Sequence, residues 1–119
     1  MSNIHHAIDY IELAVNDLAA TRSFYEAAFG WSFNDYGPEY AGIRAAGGEG
    51  EVGGLNATAT PTAGGGPLVL LYSDDLDATV AAVEGAGGNV TQGPYEFPGG
   101  RRFHFTDPSG NELGVWAKA

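Results

Sequence analysis

Residues 8–31 read IDYIELAVNDLAATRSFYEAAFGW, and this stretch decides the fold. The run from Ile8 to Val15 is rich in Ile, Leu, Val and Tyr and predicts a strand. Asp17 follows it, where a carboxylate caps a helix by accepting orphan backbone N–H groups. Leu18, Thr21, Phe24, Tyr25 and Ala28 then fall on one helical stripe. Gly30 ends the helix where a left-handed backbone is needed.

The same order returns at an offset of 58 residues, from Asp17 to Asp75. An apolar run from Leu68 to Tyr72 leads to Asp75, with Asp74 as a competing cap. Leu76, Val80, Val83 and Ala86 form the second stripe, and Gly85, Gly87 and Gly88 close it. Asp17-Leu18-Ala19-Ala20-Thr21 matches Asp75-Leu76-Asp77-Ala78-Thr79, and Glu26, Ala28 and Gly30 meet Glu84, Ala86 and Gly88. This is an internal repeat of about half the chain.

Short strands are predicted after each helix. In the first half they are Trp31 to Tyr36, Tyr40 to Ala45 and Glu51 to Asn56. In the second they are Asn89 to Gln92, Arg101 to Thr106 and Glu112 to Ala117. Residues 57–66, rich in Thr, Pro and Gly, read as the connector. The fold class is α+β, βαβββ twice, with the helices packed on one face of the sheet. The chain is a single domain, with module 1 at about 5–56 and module 2 at about 67–119.

Composition narrows the function. The 119 residues carry 15 acidic and five basic side chains, a net charge of −10. A nucleic-acid partner needs a basic stripe and is excluded. An anionic membrane surface is disfavoured for the same reason. No apolar run approaches the ~20 residues of a membrane span. Met1 to His6 has neither a basic start nor an apolar core, so no secretory signal is expected and the cytoplasm is the expected location. Cysteine is absent, which removes thiolate chemistry and leaves three histidines as nitrogen ligands.

This plan, with Phe24-Tyr25, Phe29-Gly30-Trp31 and Asp107-Pro108-Ser109-Gly110-Asn111, resembles the vicinal oxygen chelate superfamily. That group includes glyoxalases, bleomycin-resistance proteins and extradiol dioxygenases. The resemblance implies that the two modules form a curved eight-stranded cup with the helices outside, often completed in a homodimer. It implies a divalent metal in the cup for the enzymes. Metal-dependent members carry a histidine seven residues before each capping aspartate; here those positions are Tyr10 and Leu68. They carry a glutamate four residues after the glycine of the DPxG turn; here that position is Gly114. The fourth ligand falls within Glu51 to Leu55, where glycines hold the middle. Leucine and glycine side chains cannot ligate, so no metal and no other cofactor is expected. His5 and His6 read as a solvated N-terminus.

Strand alternation predicts what lines the cup instead. The first strand offers Tyr10 and Glu12, and the fifth offers Leu68 and Leu70. A two-residue turn at Pro108-Ser109 pairs Phe105 with Glu112, Phe103 with Gly114 and Arg101 with Trp116. Those six residues then join the lining, and His104 turns toward the helices. Arg101 is read as a receiver of a carboxylate or phosphate, and Arg102 as surface charge balance. Residues 94–100 read as a loop over the mouth, with Tyr95 or Phe97 at the ligand, and Tyr36 to Tyr40 line it similarly. Phe29 and Trp31 fill the junction between helix and strand.

The leading expectation is a metal-independent protein that binds a small organic compound, aromatic or cationic, in an aromatic cleft of a homodimer. This resembles the bleomycin-resistance type. The alternative is a glyoxalase-like lyase or isomerase with Glu12 as general base, with or without a divalent metal. A third reading is a module for protein association alone.

Overall fold

The computed structural model describes residues 3–61 and 66–119, so the connector expected over 57–66 lies partly outside the described residues. Each half is a strand, a helix and three more strands. The first half has β1 (Ile11–Ala14), α1 (Leu18–Phe29), β2 (Phe33–Asp35), β3 (Tyr40–Arg44) and β4 (Glu51–Asn56). The second has β5 (Val69–Tyr72), α2 (Leu76–Gly85), β6 (Asn89–Phe97), β7 (Gly100–Thr106) and β8 (Glu112–Lys118). The sheets have the same order, β1-β4-β3-β2 and β5-β8-β7-β6, so β1 and β5 are edge strands in equivalent places. The α+β plan of two βαβββ modules forming a cup is the one expected.

Local chemistry starts both helices. Asp17 Oδ1 accepts the Ala20 N–H at 3.0 Å, and Asp75 Oδ1 accepts that of Ala78 at 3.1 Å. Each carboxylate satisfies one donor that the first turn leaves unpaired. The first strand is shorter than its apolar run. Its parallel ladder with β4 opens at Ile11↔Gly53, and Ile8 stays exposed. Glycine is required at 53, because a Cβ there would lie 2.1 Å from the Ile11 carbonyl oxygen.

One core joins the two halves. Phe24, Tyr25 and Val83 from the helices meet Leu55, Leu113 and Val115 from the strands and Val15 just after β1, all buried. Tyr25 stacks on Trp31 with centroids 4.4 Å apart and planes 8° from parallel, which places Trp31 and Phe29 at the junction as expected.

The turn between β7 and β8 departs from expectation. It is five residues, 107–111, closed by the Asp107 N–H to Asn111 carbonyl bond and by the Gly110 N–H to Asp107 carbonyl bond. Pairing is therefore Thr106↔Glu112, Phe105↔Leu113, Phe103↔Val115 and Arg101↔Ala117. This is one residue away from the register of a two-residue turn, and such a slip exchanges the faces of every side chain. Phe103 and Phe105 are fully buried in the core, not in the cup. Arg101 points away from the cup as well and pairs with Asp77 at 3.3 Å. His104 takes the concave face.

The turn also fastens module 2 to module 1. The Asp107 carboxylate accepts from the Tyr25 hydroxyl at 2.9 Å, from the Ser109 and Asn111 N–H groups at 2.9 and 3.0 Å, and from Asn111 Nδ2 at 3.1 Å. Ser109 Oγ meets Thr21 Oγ1 at 2.6 Å and accepts the Asn16 N–H at 3.0 Å. Asn111 Nδ2 donates to the Ala14 carbonyl at 2.7 Å. Burial, then the neighbouring Asp107 charge and hydrogen bond, hold the Tyr25 phenol well above its ordinary pKa. It therefore remains the donor in this network.

No helix among the described residues is long and apolar enough to cross a membrane.

Candidate functional site

The concave face of module 1 follows from the β1–β4 register. Glu12 pairs with Gly54, and Gly54 with Gly42, so small residues leave room for long side chains on that face. Tyr10, Asn34, Tyr36, Tyr40 and Glu51 fill it. Glu51 is the hub: it accepts from Asn34 Nδ2 at 2.8 Å, from Tyr10 Oη at 3.5 Å and from Tyr36 Oη. Tyr10 and Tyr40 share a hydroxyl contact at 2.5 Å. Glu12 accepts from Asn56 Nδ2 at 3.1 Å and stays exposed. The bond from Tyr36, then that from Asn34, hold the Glu51 carboxyl below its ordinary pKa.

A pH prediction follows. A carboxyl whose folded pKa is depressed adds stability above its unfolded pKa and loses it as pH falls through the lowered value. Urea unfolding of wild type and Glu51→Gln should differ most at neutral pH. The gap should begin to close as pH falls through the ordinary glutamate value of about 4.3 and vanish only below the lowered one. An equal gap at pH 7 and pH 3.5 contradicts the assignment.

The concave face of module 2 is different in kind. A single row crosses its four strands: Tyr95 on β6, Arg102 on β7, Trp116 on β8 and Tyr72 on β5, each directly opposite the next. Tyr72 meets Trp116 edge-on at 5.1 Å, and Phe97 meets it at 6.2 Å. The Arg102 guanidinium lies 5.4 Å from the Tyr95 ring centroid and 5.5 Å from that of Phe97. The next row holds Gln92, His104, Gly114 and Leu70.

A hydrogen-bonded chain links these rows. Arg102 Nε donates to Tyr95 Oη. Tyr95 Oη meets His104 Nε2 at 3.0 Å, and His104 Nδ1 meets Glu112 Oε2 at 3.0 Å. Arginine only donates and a carboxylate only accepts, so Tyr95 Oη accepts from Arg102 and Glu112 receives the Nδ1 proton of His104. His104 is 7% exposed, and each ring nitrogen has its partner.

The free edges of β1 and β5 border one seam between the modules. On its concave side a cleft of about 410 Å³ is lined by Glu12, Ala14, Leu68, Gln92, His104 and Glu112. On its helix side an apolar groove of about 540 Å³ runs past Ile11, Leu13, Trp31, Val69 and Leu71.

Of the residues the sequence nominated, Tyr10, Glu12, Leu68, Leu70, Glu112, Gly114 and Trp116 all lie on the concave faces. Leu68 and Leu70 remain more than a third exposed. Arg101, Phe103 and Phe105 do not lie there. The segment 94–100 is not a loop over the mouth. It is the end of β6, a two-residue turn at 98–99 and the first residue of β7, paired Tyr95↔Arg102 and Phe97↔Gly100, and it carries Tyr95 and Phe97 onto the concave face. Arg102, His104 and Glu51 were missed. The signal for the first two was the strand itself: in Arg102-Phe103-His104-Phe105 the rings alternate with polar groups, as on a half-buried strand.

The chain belongs to the Glyoxalase/Bleomycin resistance protein/Dioxygenase superfamily, whose model matches residues 7–115. It is 32% identical over 120 residues to the Mycobacterium tuberculosis protein named "Putative glyoxylase CFP32", an alignment covering 91% of this chain and 44% of that protein. The chain thus spans less than half the length of the curated relatives it matches. Among solved structures it is similar to TnmS3, an antibiotic binding protein from Streptomyces sp. CB03234, with a TM-score of 0.70, 25% identity and all of both chains covered. It also shares its fold with a Burkholderia phytofirmans PsJN family enzyme, with a TM-score of 0.78 and 21% identity over 94% of this chain and 98% of that one.

The divalent metal that the superfamily implies does not fit these residues. The Tyr10 phenol is engaged by Tyr40 and Glu51. Leu68 supplies no donor. Gly114 has no side chain to offer, and Leu70 Cδ2 leans over it, 2.5 Å from where a Cβ would stand. Among the described residues no three His, Asp or Glu side chains converge to hold an ion.

Proposed function

We propose that the protein binds a planar aromatic small molecule on its concave face without a metal. The observation that carries this reading is Trp116, standing between Tyr72 and Phe97 on the concave face beside the polar Arg102–Tyr95–His104 chain. Rings bury a large area at small conformational cost, and a few placed polar groups fix orientation. The antibiotic-binding relative TnmS3 supports the same reading. In it the protein is cytoplasmic and a homodimer. The second copy would cover Leu68, Leu70 and Tyr72, which a single chain leaves exposed, and the unpaired edges of β1 and β5.

The test is isothermal titration calorimetry with 2-naphthoate and 2-naphthamide, followed by chromatographic recovery of each compound. Saturable binding and unchanged compound are expected. Trp116→Ala should weaken binding by about tenfold or more, the loss of one aromatic contact of about 1.5 kcal/mol. Absence of saturation for both compounds contradicts the reading.

A second reading, proton transfer in a lyase or isomerase, is favoured by the Tyr95–His104–Glu112 chain more than by Glu12. In that chain a buried imidazole nitrogen is hydrogen-bonded to a phenol while a carboxylate steadies the ring. Glu12 is exposed and is held by the Asn56 amide and the Tyr40 hydroxyl, with no histidine beside it among its hydrogen-bond partners.

A further inference from the structure

We propose that Arg102 is the receiving site for a carboxylate of the ligand, so that the compound held is an aromatic acid. This rests on the small-molecule-binding reading above and names the chemistry of its ligand.

The starting point is where the chain places its cations. It has five, against 15 carboxylates. Arg22 pairs with Glu26, and Arg101 pairs with Asp77, each at 3.3 Å. Arg44 is exposed at the end of β3. The remaining two, Arg102 and Lys118, are on the concave face of module 2. Among the described residues neither has a carboxylate within salt-bridge distance. Each is held instead over aromatic rings, with Lys118 Nζ 5.8 Å from the Tyr72 centroid. In a chain with three acidic groups for each basic one, two cations on the same inner face without an acid beside them are unexpected as charge balance.

Arg102 is also held in one orientation. Two rings lie against its guanidinium, and its Nε is committed to Tyr95. Tyr95 is anchored in turn by His104, and His104 by Glu112. Only the outer edge of the guanidinium, its two terminal nitrogens, is left to donate. Two parallel donors in a plane match the two oxygens of a carboxylate. Pre-ordering by the rings removes part of the side-chain entropy that such a contact ordinarily costs.

Trp116 fixes the rest of the ligand. It is directly opposite Arg102 on the neighbouring strand. Adjacent strands are about 4.8 Å apart. A ring lying on Trp116 with a carboxylate attached to it therefore spans one strand spacing and ends at the Arg102 edge. The polarity opposes the cationic ligand that a net charge of −10 suggests, because the charged group directly opposite Trp116 is Arg102, whereas Glu112 is four residues along the same strand and Glu12 and Glu51 belong to module 1.

The experiment compares three probes sharing one ring system: 2-naphthoate, neutral 2-naphthamide and 2-naphthylmethylammonium. Titration calorimetry on the wild-type protein should show 2-naphthoate binding about tenfold tighter than the amide, with the ammonium compound weakest. Arg102→Met should bring acid and amide within about twofold while amide affinity is kept. Arg102→Lys, which retains the charge and loses the fork, should keep only part of the preference. Circular dichroism and thermal melting confirm that both variants are folded. Equal wild-type affinities for acid and amide, tighter ammonium binding, or a preference unchanged in Arg102→Met or fully kept in Arg102→Lys would each overturn the proposal while leaving aromatic binding intact. Failure of all three probes to bind would instead overturn the binding reading on which it rests. If a carboxylate of a second copy occupies Arg102, acid and amide bind wild type equally and Arg102→Met weakens self-association by sedimentation; that result also overturns it.

Discussion

Asp107→Ala is expected to remove about 3–5 kcal/mol of folding stability, the range found when one partner of a buried charged network is deleted. The side chain is buried, and its two oxygens satisfy four donors: the Tyr25 hydroxyl, two backbone N–H groups and the Asn111 amide. Deletion strands those donors, each at a cost of about 1–3 kcal/mol where water cannot replace the acceptor. It also loosens Asn111, whose amide holds the Ala14 carbonyl of the other module. In a chain this size the melting temperature should fall on the order of 10–25 °C. Tyr25→Phe removes a single donor and should cost about 1–2 kcal/mol. Chemical denaturation of both variants provides the comparison. A loss below about 1 kcal/mol for Asp107→Ala would show that the turn does not hold the modules together.

The second large effect separates core from cup. Phe103→Ala and Phe105→Ala should each cost about 3–5 kcal/mol, the usual price of emptying a buried aromatic site. Both rings are fully buried, and Phe105 touches Phe24 and Phe29 at centroid distances of 5.8 and 5.5 Å. Trp116→Ala, on the other face of the same sheet, should cost much less stability and much more ligand affinity. Urea midpoints and calorimetric affinities of the three variants give this contrast. If the phenylalanine variants keep full stability and lose binding, the register of β7 against β8 is one residue away from that described here.

That single residue also marks where the sequence stopped being legible. The helices could be read because their signals are local: an aspartate at the cap, apolar residues at helical spacing, a glycine at the end. The repeat doubled the evidence, since Asp17 and Asp75 open both helices in the same way. The inner face of β1, β5 and β8 followed from alternation within each strand. The face of β7 was assigned from the assumed length of the neighbouring turn. Proline and glycine at 108 and 110 suggested a tight two-residue reversal. The actual loop is wider because Asp107 and Asn111 turn inward to serve module 1, a tertiary demand with no local mark. The pattern inside the strand, rings alternating with Arg102 and His104, carried the correct answer. Glu51 was hidden for a related reason: its place on the inner face depends on the register shift beside Arg44. Such an irregularity is fixed by how two strands meet and not by either one.

The bonds around Asp107 and Ser109 join residues more than 80 positions apart in the chain. Hairpins β6–β7 and β7–β8 close over short distances, so their entropy of closure is recovered early. The junction between modules closes the longest loop and gains nothing until both halves are largely formed. Loop-closure entropy therefore predicts that docking of the halves comes late in folding. The cleft along the seam, lined by both Glu12 and His104, exists only after that step. By mass action any compound that needed both walls of that cleft would draw the chain toward the docked state, so its presence would raise the stability of the whole fold.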